Sequence, residues 1–343
     1  MKKLLGLTAV AALTLAGALS AHAAEVTLTI HHFLSPKSPA QVKMLEPWAK
    51  RVEKDSNGRI EVKIFPSMAL GGKPPELYQQ VRDGVVDIVW TVPGYTPGVF
   101  PRTEVFELPT VHTGDPRATN AAIQDIFPMI ADDFKDVKPL LVHVHKGNAL
   151  HTVDKKVLTL ADVKGMKIRT PSRTGGWMIE QWGADPVGMP LPTLPQALSK
   201  GVVDGALVPF EIFPPFKLAE LTKYSQVGQT DERFGTSTFL FAMNKDSYNR
   251  LPDDLKAVID KNSGPAFSAE MGEVWEQVEK PGEAQQEKSG GEIIHLDAEA
   301  KAAFDAAGEK VVARWIEEAN KRGIDGKKLV EAARKAIATH SGN

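Results

Sequence analysis

Apolar positions along the chain repeat with two periods, which predict strands that alternate with helices. Residues 26–33 (VTLTIHHF) alternate between apolar and polar side chains and are rich in strand formers, so they predict a first strand. Apolar residues at helical spacing follow from Met44 to Val52, and alternation returns over 60–64. The order strand, helix, strand predicts βαβ units and a largely parallel sheet covered by helices.

One four-residue sequence, Gly-Val-Val-Asp, occurs twice, at 84–87 and at 201–204. In each copy, apolar residues stand seven and three positions before the glycine, which places them on one helix face. The glycine then falls where a helix ends, and Val-Val-Asp is predicted to begin a short buried strand. The repeat indicates two similar α/β halves with a ligand held where they meet. Chance recurrence of common residues is the alternative.

The same patterns continue over most of the chain. Residues 93–101 and 209–216 are rich in proline and are predicted to be irregular segments that follow strands. Helical character dominates from Pro252 onward, and Phe304 and Trp315 mark a late amphipathic helix. Further strands are predicted at 140–145, 165–170, 186–191 and 236–243, and further helices over about 115–133 and from 177 to 183.

The first 23 residues have the pattern of a cleaved secretion signal. Lys2 and Lys3 precede an apolar stretch over 4–19, and Ala21-His22-Ala23 fits a small-x-small cleavage site. The chain contains no cysteine, so no thiol is available at the cut for a lipid anchor. We therefore expect a protein that is exported to the bacterial periplasm and begins near Ala24.

Composition narrows the function classes further. The 343 residues carry 41 basic and 43 acidic side chains, a formal net charge of −2, which gives no indication of a nucleic-acid partner. An exported chain of this length can bury a large core without disulfides. No run beyond the leader is long and apolar enough to predict a membrane span.

The sequence motifs of this chain indicate neither a metal site nor a cofactor site. The pairs His31-His32 and His143, His145 lack the helical spacing of metal ligands, and we expect His143 and His145 to be able to face solvent. Gly71-Gly72-Lys73 is only a fragment of a phosphate loop, and the dinucleotide, zinc-protease and nucleophile-elbow motifs do not occur. No cofactor, metal or catalytic residue is predicted, although a spatial triad would leave no local motif.

Arg169 is the main candidate for ligand binding. It ends a predicted strand, and the carboxyl ends of parallel strands face the ligand crevice. A guanidinium there can hold a carboxylate by two charge-assisted hydrogen bonds, and an ordinary surface arginine is the alternative. The other candidates lie at or beyond strand ends, or in the irregular segments, and each has a purely structural alternative: Phe33, Trp90 and Phe210 as aromatic walls, and His32, His151 and Glu211 as polar contacts.

Five segments together resemble one family, the DctP-type solute-binding proteins of tripartite ATP-independent periplasmic (TRAP) transporters. Their order and spacing fit this family over most of the chain. Within them, Lys167-Ile168-Arg169-Thr170-Pro171 matches the family motif that holds the carboxylate-binding arginine. The segments are 48–72, 83–90, 160–172, 183–206 and 243–259.

The resemblance implies an α/β periplasmic binding protein fold in which two domains, joined by crossing strands and a long helix, close over one ligand. The expected domains are 24–146 with 234–272, and 147–233 with 273–343. The resemblance also implies capture of an organic acid and delivery to a membrane permease that is driven by sodium. In a fold of this kind, each Gly-Val-Val-Asp copy is expected to lie at the junction of a helix and a strand in one of the two domains.

Two departures from the family pattern narrow the expected ligand. Sialic-acid-binding members have an asparagine where this chain has Val208, and a second arginine near Ala149. The ligand is therefore expected to be a smaller and less polar acid, either an aromatic acid or a short 2-hydroxy or 2-oxo monocarboxylate. An exported enzyme, or a binding protein that serves a sensor or another importer, is the alternative. We expect Phe304 to Trp315 to pack within a monomer rather than in a dimer.

Overall fold

The computed structural model describes residues 24–342, which form two β-sheets covered by helices. The predicted signal segment, 1–23, lies outside the described residues. Within 24–342, none of the helices combines the length and the apolar character that crossing a bilayer requires.

The first sheet contains five strands in the order β2-β1-β3-β10-β4. Strands β1, β2 and β3 are parallel to one another, whereas β10 runs antiparallel to both of its neighbours. Apolar side chains from both faces of these strands are buried under helices, Ile30, Ile88 and Leu240 among them. The strands are β1 Val26–His32, β2 Ile60–Phe65, β3 Ile88–Thr91, β4 Lys138–Val144 and β10 Thr238–Met243.

The second sheet contains six strands in the order β11-β9-β5-β8-β6-β7. Strands β6, β7 and β8 are parallel, and β5 runs antiparallel to β8 and β9. The strands are β5 Ala149–Thr152, β6 Lys167–Thr170, β7 Asp185–Gly188, β8 Gly205–Val208, β9 Tyr224–Val227 and β11 Glu292–His295.

Two short segments join the sheets, and they explain why each sheet is mixed. Residues 145–148 lead from β4 into β5, and 228–237 lead from β9 into β10. A strand that enters directly from the other sheet has no crossover helix before it in its own sheet, and parallel neighbours need such a crossover connection. The predicted largely parallel sheet is therefore correct for β1 to β3 and for β6 to β8, and wrong for β5 and β10.

Helices cover both sheets and extend along the C-terminal third of the chain. The longest, α12, packs on α5 and on α13, and α13 in turn packs on α3. The helices are α1 Glu46–Asp55, α2 Leu77–Arg82, α3 Pro116–Asp125, α4 Phe127–Ile130, α5 Arg173–Gln181, α6 Leu194–Ser199, α7 Phe213–Phe216, α8 Lys245–Asn249, α9 Asp253–Lys261, α10 Pro265–Gln277, α11 Lys280–Lys288, α12 Ala298–Lys321 and α13 Gly326–His340.

The two Gly-Val-Val-Asp copies occupy equivalent places, one in each sheet region. Gly84 and Gly201 have φ angles of 73° and 66° and lie just beyond α2 and α6, as predicted for helix-ending glycines. The prediction of a strand beginning at Val-Val was wrong. Val85 is 68% exposed and Val202 is 49% exposed, because each lies in the turn that follows the glycine, and the strands begin only at Ile88 and Gly205.

Three other local expectations need correction. The single helix predicted over 115–133 is divided into α3, α4 and a 3₁₀ turn at Ala131–Phe134. The proline-rich stretch 209–216 does contain a short helix, α7, because its prolines occupy the first turn, where no N–H partner is needed. His143 and His145 are buried rather than facing solvent. His143 stacks on Phe239 and on Trp275 of α10, and His145 packs against Phe239.

Candidate functional site

A cavity lies between the two sheets. Trp90 on β3 and Phe239 on β10 reach it from the first sheet, and Arg169 on β6 and Val208 on β8 reach it from the second. The remaining lining residues are Phe33, Leu34, Val92, Tyr95, His145, Asn148, Pro171, Leu191, Pro209, Glu211, Ile212 and Ser237.

Arg169 supplies the positive charge of this cavity. Its side chain is 2% exposed, its Nε donates to the Met189 carbonyl oxygen at 3.0 Å, and its Nη1 donates to the Leu207 carbonyl oxygen at 3.2 Å. Within 24–342, no carboxylate forms an ion pair with it. Burial lowers the pKa of Arg169, yet a guanidinium keeps its proton in proteins. The result is a buried cation without a counter-charge, which favours binding of an anion.

Tyr95 joins the two sheets at the position of Arg169. It follows β3 of the first sheet, and its hydroxyl accepts the Leu191 N–H at 2.9 Å and lies 3.5 Å from Arg169 Nη2. Burial raises the pKa of Tyr95, so the hydroxyl stays neutral. Tyr95 was not among the predicted site residues, although its place in the proline-rich segment after a strand was the available signal.

Aromatic rings form one wall of the cavity. Phe33 stacks on Trp90 at 5.4 Å between ring centroids, and Trp90 stacks on Phe239 at 4.7 Å with only 10° between the ring planes. The Trp90 indole N–H donates to His143 Nε2 at 3.0 Å, which fixes the orientation of the indole. This wall suits a flat apolar group. Phe239 was not predicted, because its place beside Trp90 depends on the pairing of the crossing strand β10 with β3 and β4.

Other polar groups also line the cavity. Asn148 Oδ1 and Glu211 Oε2 are buried and have no hydrogen-bond partner within 24–342. His145 Nδ1 accepts the Gly147 N–H at 2.8 Å, and burial lowers the pKa of His145 well below its usual value, so that the ring is neutral. Glu211 was a predicted site residue. Asn148 and His145 were not predicted to bind ligand.

The structure brings four of the seven predicted site residues to the cavity, namely Arg169, Phe33, Trp90 and Glu211. The other three lie behind its walls. His32 forms a hydrogen bond with Gln41 Oε1 at 2.6 Å. His151 forms hydrogen bonds with Ser225 Oγ at 2.8 Å and with the Val208 carbonyl oxygen at 3.0 Å. Phe210 packs on the ring of His151. Burial lowers the pKa of His32 to about 4 and that of His151 to about 3.

No group of three or more histidine, aspartate or glutamate side chains within 24–342 has the spacing to hold a metal ion. Both histidine pairs that the sequence offered are instead buried and engaged in hydrogen bonds or ring contacts inside the first sheet region. The groups that face the cavity therefore suit ion pairing, ring stacking and hydrogen bonding.

Comparison with known proteins places the chain in a family. The family model described as bacterial extracellular solute-binding protein, family 7 (DctP), matches residues 30–319. A C4-dicarboxylate-binding periplasmic protein, DctP, of Rhodobacter capsulatus is 24% identical over 308 residues, covering 89% of this chain and 91% of that protein.

Two solved structures are more similar still. A TRAP solute-binding protein from a marine metagenome, specific for aromatic acid ligands and holding metahydroxyphenylacetate, is 45% identical with a TM-score of 0.90, covering 92% of this chain and 99% of that one. A TRAP solute-binding protein from Rhodoferax ferrireducens with copurified benzoate is 42% identical with a TM-score of 0.89, covering 92% and 98%. Both are binding proteins of the two-domain periplasmic fold, and the chain belongs to the same DctP family of TRAP transporter solute-binding proteins.

Proposed function

We propose that the cavity binds a small aromatic monocarboxylate, which this protein carries in the periplasm to a sodium-coupled TRAP permease. The carboxylate pairs with Arg169, and the ring lies against the wall formed by Phe33, Trp90 and Phe239. The observation that carries this proposal is a fully buried guanidinium, without a carboxylate partner within 24–342, in a largely apolar cavity.

The polarity of the cavity lining supports a ligand with an apolar ring. Most of the lining residues are apolar or aromatic, with a few polar groups among them, as is usual for small-molecule sites. Apolar walls exclude water and lower the local dielectric constant, which strengthens an ion pair between Arg169 and a ligand carboxylate. The ligands of the two similar structures, metahydroxyphenylacetate and benzoate, likewise combine one carboxylate with an aromatic ring.

The charges around the cavity favour one carboxylate over two. Arg169 is its only permanently charged lining residue within 24–342. Burial and the neighbouring Glu279 raise the pKa of Glu211 well above its usual value, and His145 is neutral. A second ligand carboxylate would have no counter-charge in the cavity, so dicarboxylates are expected to bind weakly.

Calorimetric titration of the mature protein with benzoate, benzamide and succinate tests this proposal. We expect benzoate to bind, and the neutral benzamide and the dicarboxylate succinate to bind far more weakly. Arg169→Ala should weaken benzoate binding by about thirtyfold to several thousandfold, because a loss of roughly 2–5 kcal/mol follows when one partner of a buried charge pair is removed.

Arg314→Ala is the matched control, since Arg314 is a partly exposed arginine paired with Glu180 outside the cavity. It should leave benzoate affinity unchanged. Chromatography of the released ligand should recover unaltered benzoate, as expected for carriage without turnover. Equal affinity for benzoate and benzamide, or unchanged benzoate binding by Arg169→Ala, would refute the arginine–carboxylate pair.

A further inference from the structure

We propose that Asn148 and Glu211 form a subsite that receives a hydroxyl group on the ring of the ligand. This inference rests on the proposed function and names the substituent that the cavity selects. It starts from two buried polar atoms, Asn148 Oδ1 and Glu211 Oε2, which have no hydrogen-bond partner within 24–342 although both residues line the cavity.

Asn148 is held in place by its main chain rather than by its side chain. Its N–H donates to the Gly235 carbonyl oxygen at 2.9 Å, and its carbonyl oxygen accepts the Phe234 N–H at 2.8 Å. These bonds tie the segment between β4 and β5 to the segment between β9 and β10. The side chain is left with a buried acceptor, and an unpaired buried acceptor loses its hydration without compensation. A ligand donor would supply that compensation.

Glu211 is held beside a separate charge network that does not pair with it. The Glu211 N–H donates to Glu279 Oε1 at 2.9 Å, and Glu279 Oε2 lies 3.4 Å from Arg233 Nη2. Arg233 also contacts Asp231 and Glu283, so its charge is shared among three other carboxylates. Within 24–342 no cation pairs with the Glu211 side chain itself. Burial and the charge of Glu279 raise the pKa of Glu211 well above its usual value, which favours the protonated carboxyl, a group that can both donate and accept.

The chemistry of the two groups selects a hydroxyl. A phenolic hydroxyl can donate to Asn148 Oδ1 while it accepts the proton of the Glu211 carboxylic acid. A ligand carboxylate has no proton for Asn148, and a methyl group at the same place would leave both polar atoms unpaired. Sites that hydrogen-bond a hydroxyl reject analogues without one more strongly than apolar pockets reject an added hydroxyl.

Asn148 and Glu211 lie on different segments of the chain from Arg169, which is proposed to pair with the ligand carboxylate. Arg169 donates to the main chain of Met189 and Leu207 and lies near the Tyr95 hydroxyl. Asn148 is held by main-chain hydrogen bonds to Phe234 and Gly235. The Glu211 N–H is held by the Glu279 carboxylate. The proposal places the ligand hydroxyl on the ring, so that the carboxylate can pair with Arg169 while the hydroxyl meets Asn148 and Glu211.

Calorimetric titration with benzoate, the three hydroxybenzoates and the three methylbenzoates tests the subsite on the wild-type protein. Each methylbenzoate is the size-matched control for one hydroxyl position. We expect one hydroxybenzoate to bind at least about tenfold more tightly than its methyl counterpart, as one satisfied buried hydrogen bond implies. Equal affinities at all three positions would overturn the subsite, while benzoate binding would still uphold the proposed function.

Variants assign the preference to the two residues. Asn148→Leu keeps the branched shape of the side chain without the acceptor, and should bring the hydroxyl-to-methyl affinity ratio close to one. Glu211→Gln retains a donor and an acceptor and should keep the ratio, whereas Glu211→Leu should lose it. An unchanged ratio in both leucine variants would refute the assignment, and failure of wild type to bind any benzoate would overturn the proposed function and this subsite together.

Discussion

At the scale of single residues, burial shifts the pKa values of several histidine and carboxyl groups toward their neutral forms. Burial lowers the pKa of His143 to about 3, so it stays a neutral acceptor for the Trp90 indole. Burial also raises the pKa of Glu107 to about 7. Glu107 Oε1 accepts the N–H and hydroxyl of Thr238 at 3.0 and 2.7 Å, and Thr174 Oγ1 lies 3.3 Å from its Oε2. Glu107 therefore joins the crossing strand β10 to helix α5 of the other sheet region.

Glu107 predicts a specific pH dependence of stability. Because its pKa is raised in the folded protein, the folded chain holds a proton that the unfolded chain releases between pH 4.5 and about 7. Relative to Glu107→Gln, the wild type should lose up to about 1.4 kcal/mol of unfolding free energy per pH unit across that window and nothing further above it. Urea unfolding of both proteins at pH 5, 6, 7 and 8 measures the difference. A constant difference at all four values would contradict the assignment.

At the scale of elements, the segment after β3 contacts the second sheet region directly. A Cβ placed on Gly94 would lie 2.8 Å from Ser172 Cβ and 3.0 Å from the Pro171 carbonyl oxygen. Tyr95, the next residue, bonds the Leu191 N–H. Gly94 does not have a left-handed φ, so its backbone conformation does not require glycine. Glycine is needed there because a side chain would not fit between the two sheet regions.

Gly94→Ala should therefore weaken ligand binding by holding the two sheet regions apart. Overpacking by one methyl group typically costs roughly 1–3 kcal/mol, about five- to 150-fold in affinity. Titration with benzoate measures the loss. Gly188→Ala is the control, because a Cβ on Gly188 meets no atom within 4 Å and its φ is also ordinary. Equal benzoate affinity in the two variants would show that the close approach of Gly94 and Ser172 is not needed for binding.

At the scale of the whole molecule, helix α12 closes the core and covers the aromatic face that the sequence offered as a possible dimer contact. Phe304 packs against Trp182 at 5.1 Å and against Phe234 at 5.2 Å. The Trp315 indole N–H donates to Glu104 Oε2 at 3.2 Å, and Arg173 holds the same carboxylate through two bonds of 2.7 and 2.6 Å. Both aromatic side chains are used within the chain.

This packing predicts a large stability effect without a change of assembly. Phe304→Ala should lower the free energy of unfolding by roughly 3–5 kcal/mol, because it leaves a cavity between Trp182 and Phe234. Sedimentation velocity should give a monomer for both the wild type and the variant. Val85→Ala, at a residue that is 68% exposed, is the control and should change stability by about 0.5 kcal/mol or less. A wild-type dimer that Phe304→Ala dissociates would contradict this prediction.

The sequence by itself determined the features that depend on neighbours along the chain. Apolar periodicity located most strands to within a few residues, and the paired glycines at 84 and 201 marked the ends of two equivalent helices. Strand ends also placed Arg169, Phe33 and Trp90 beside the cavity. These features follow from local backbone preferences and from the side-chain periods of helices and strands, which a single sequence displays. The resemblance to the family added the two-domain fold and the role of Arg169 as an expectation.

Only the tertiary structure decided the features that depend on residues far apart in the chain. The antiparallel entry of β5 and β10 brings Asn148 and Phe239 to the cavity, and no local pattern announces that pairing. The contact of Tyr95 with Leu191 likewise spans 96 positions. Burial, unlike periodicity, is a property of the assembled core. The raised pKa of Glu211, and the exclusion of His151 and Phe210 from the cavity wall, therefore follow from packing that the sequence does not specify on its own.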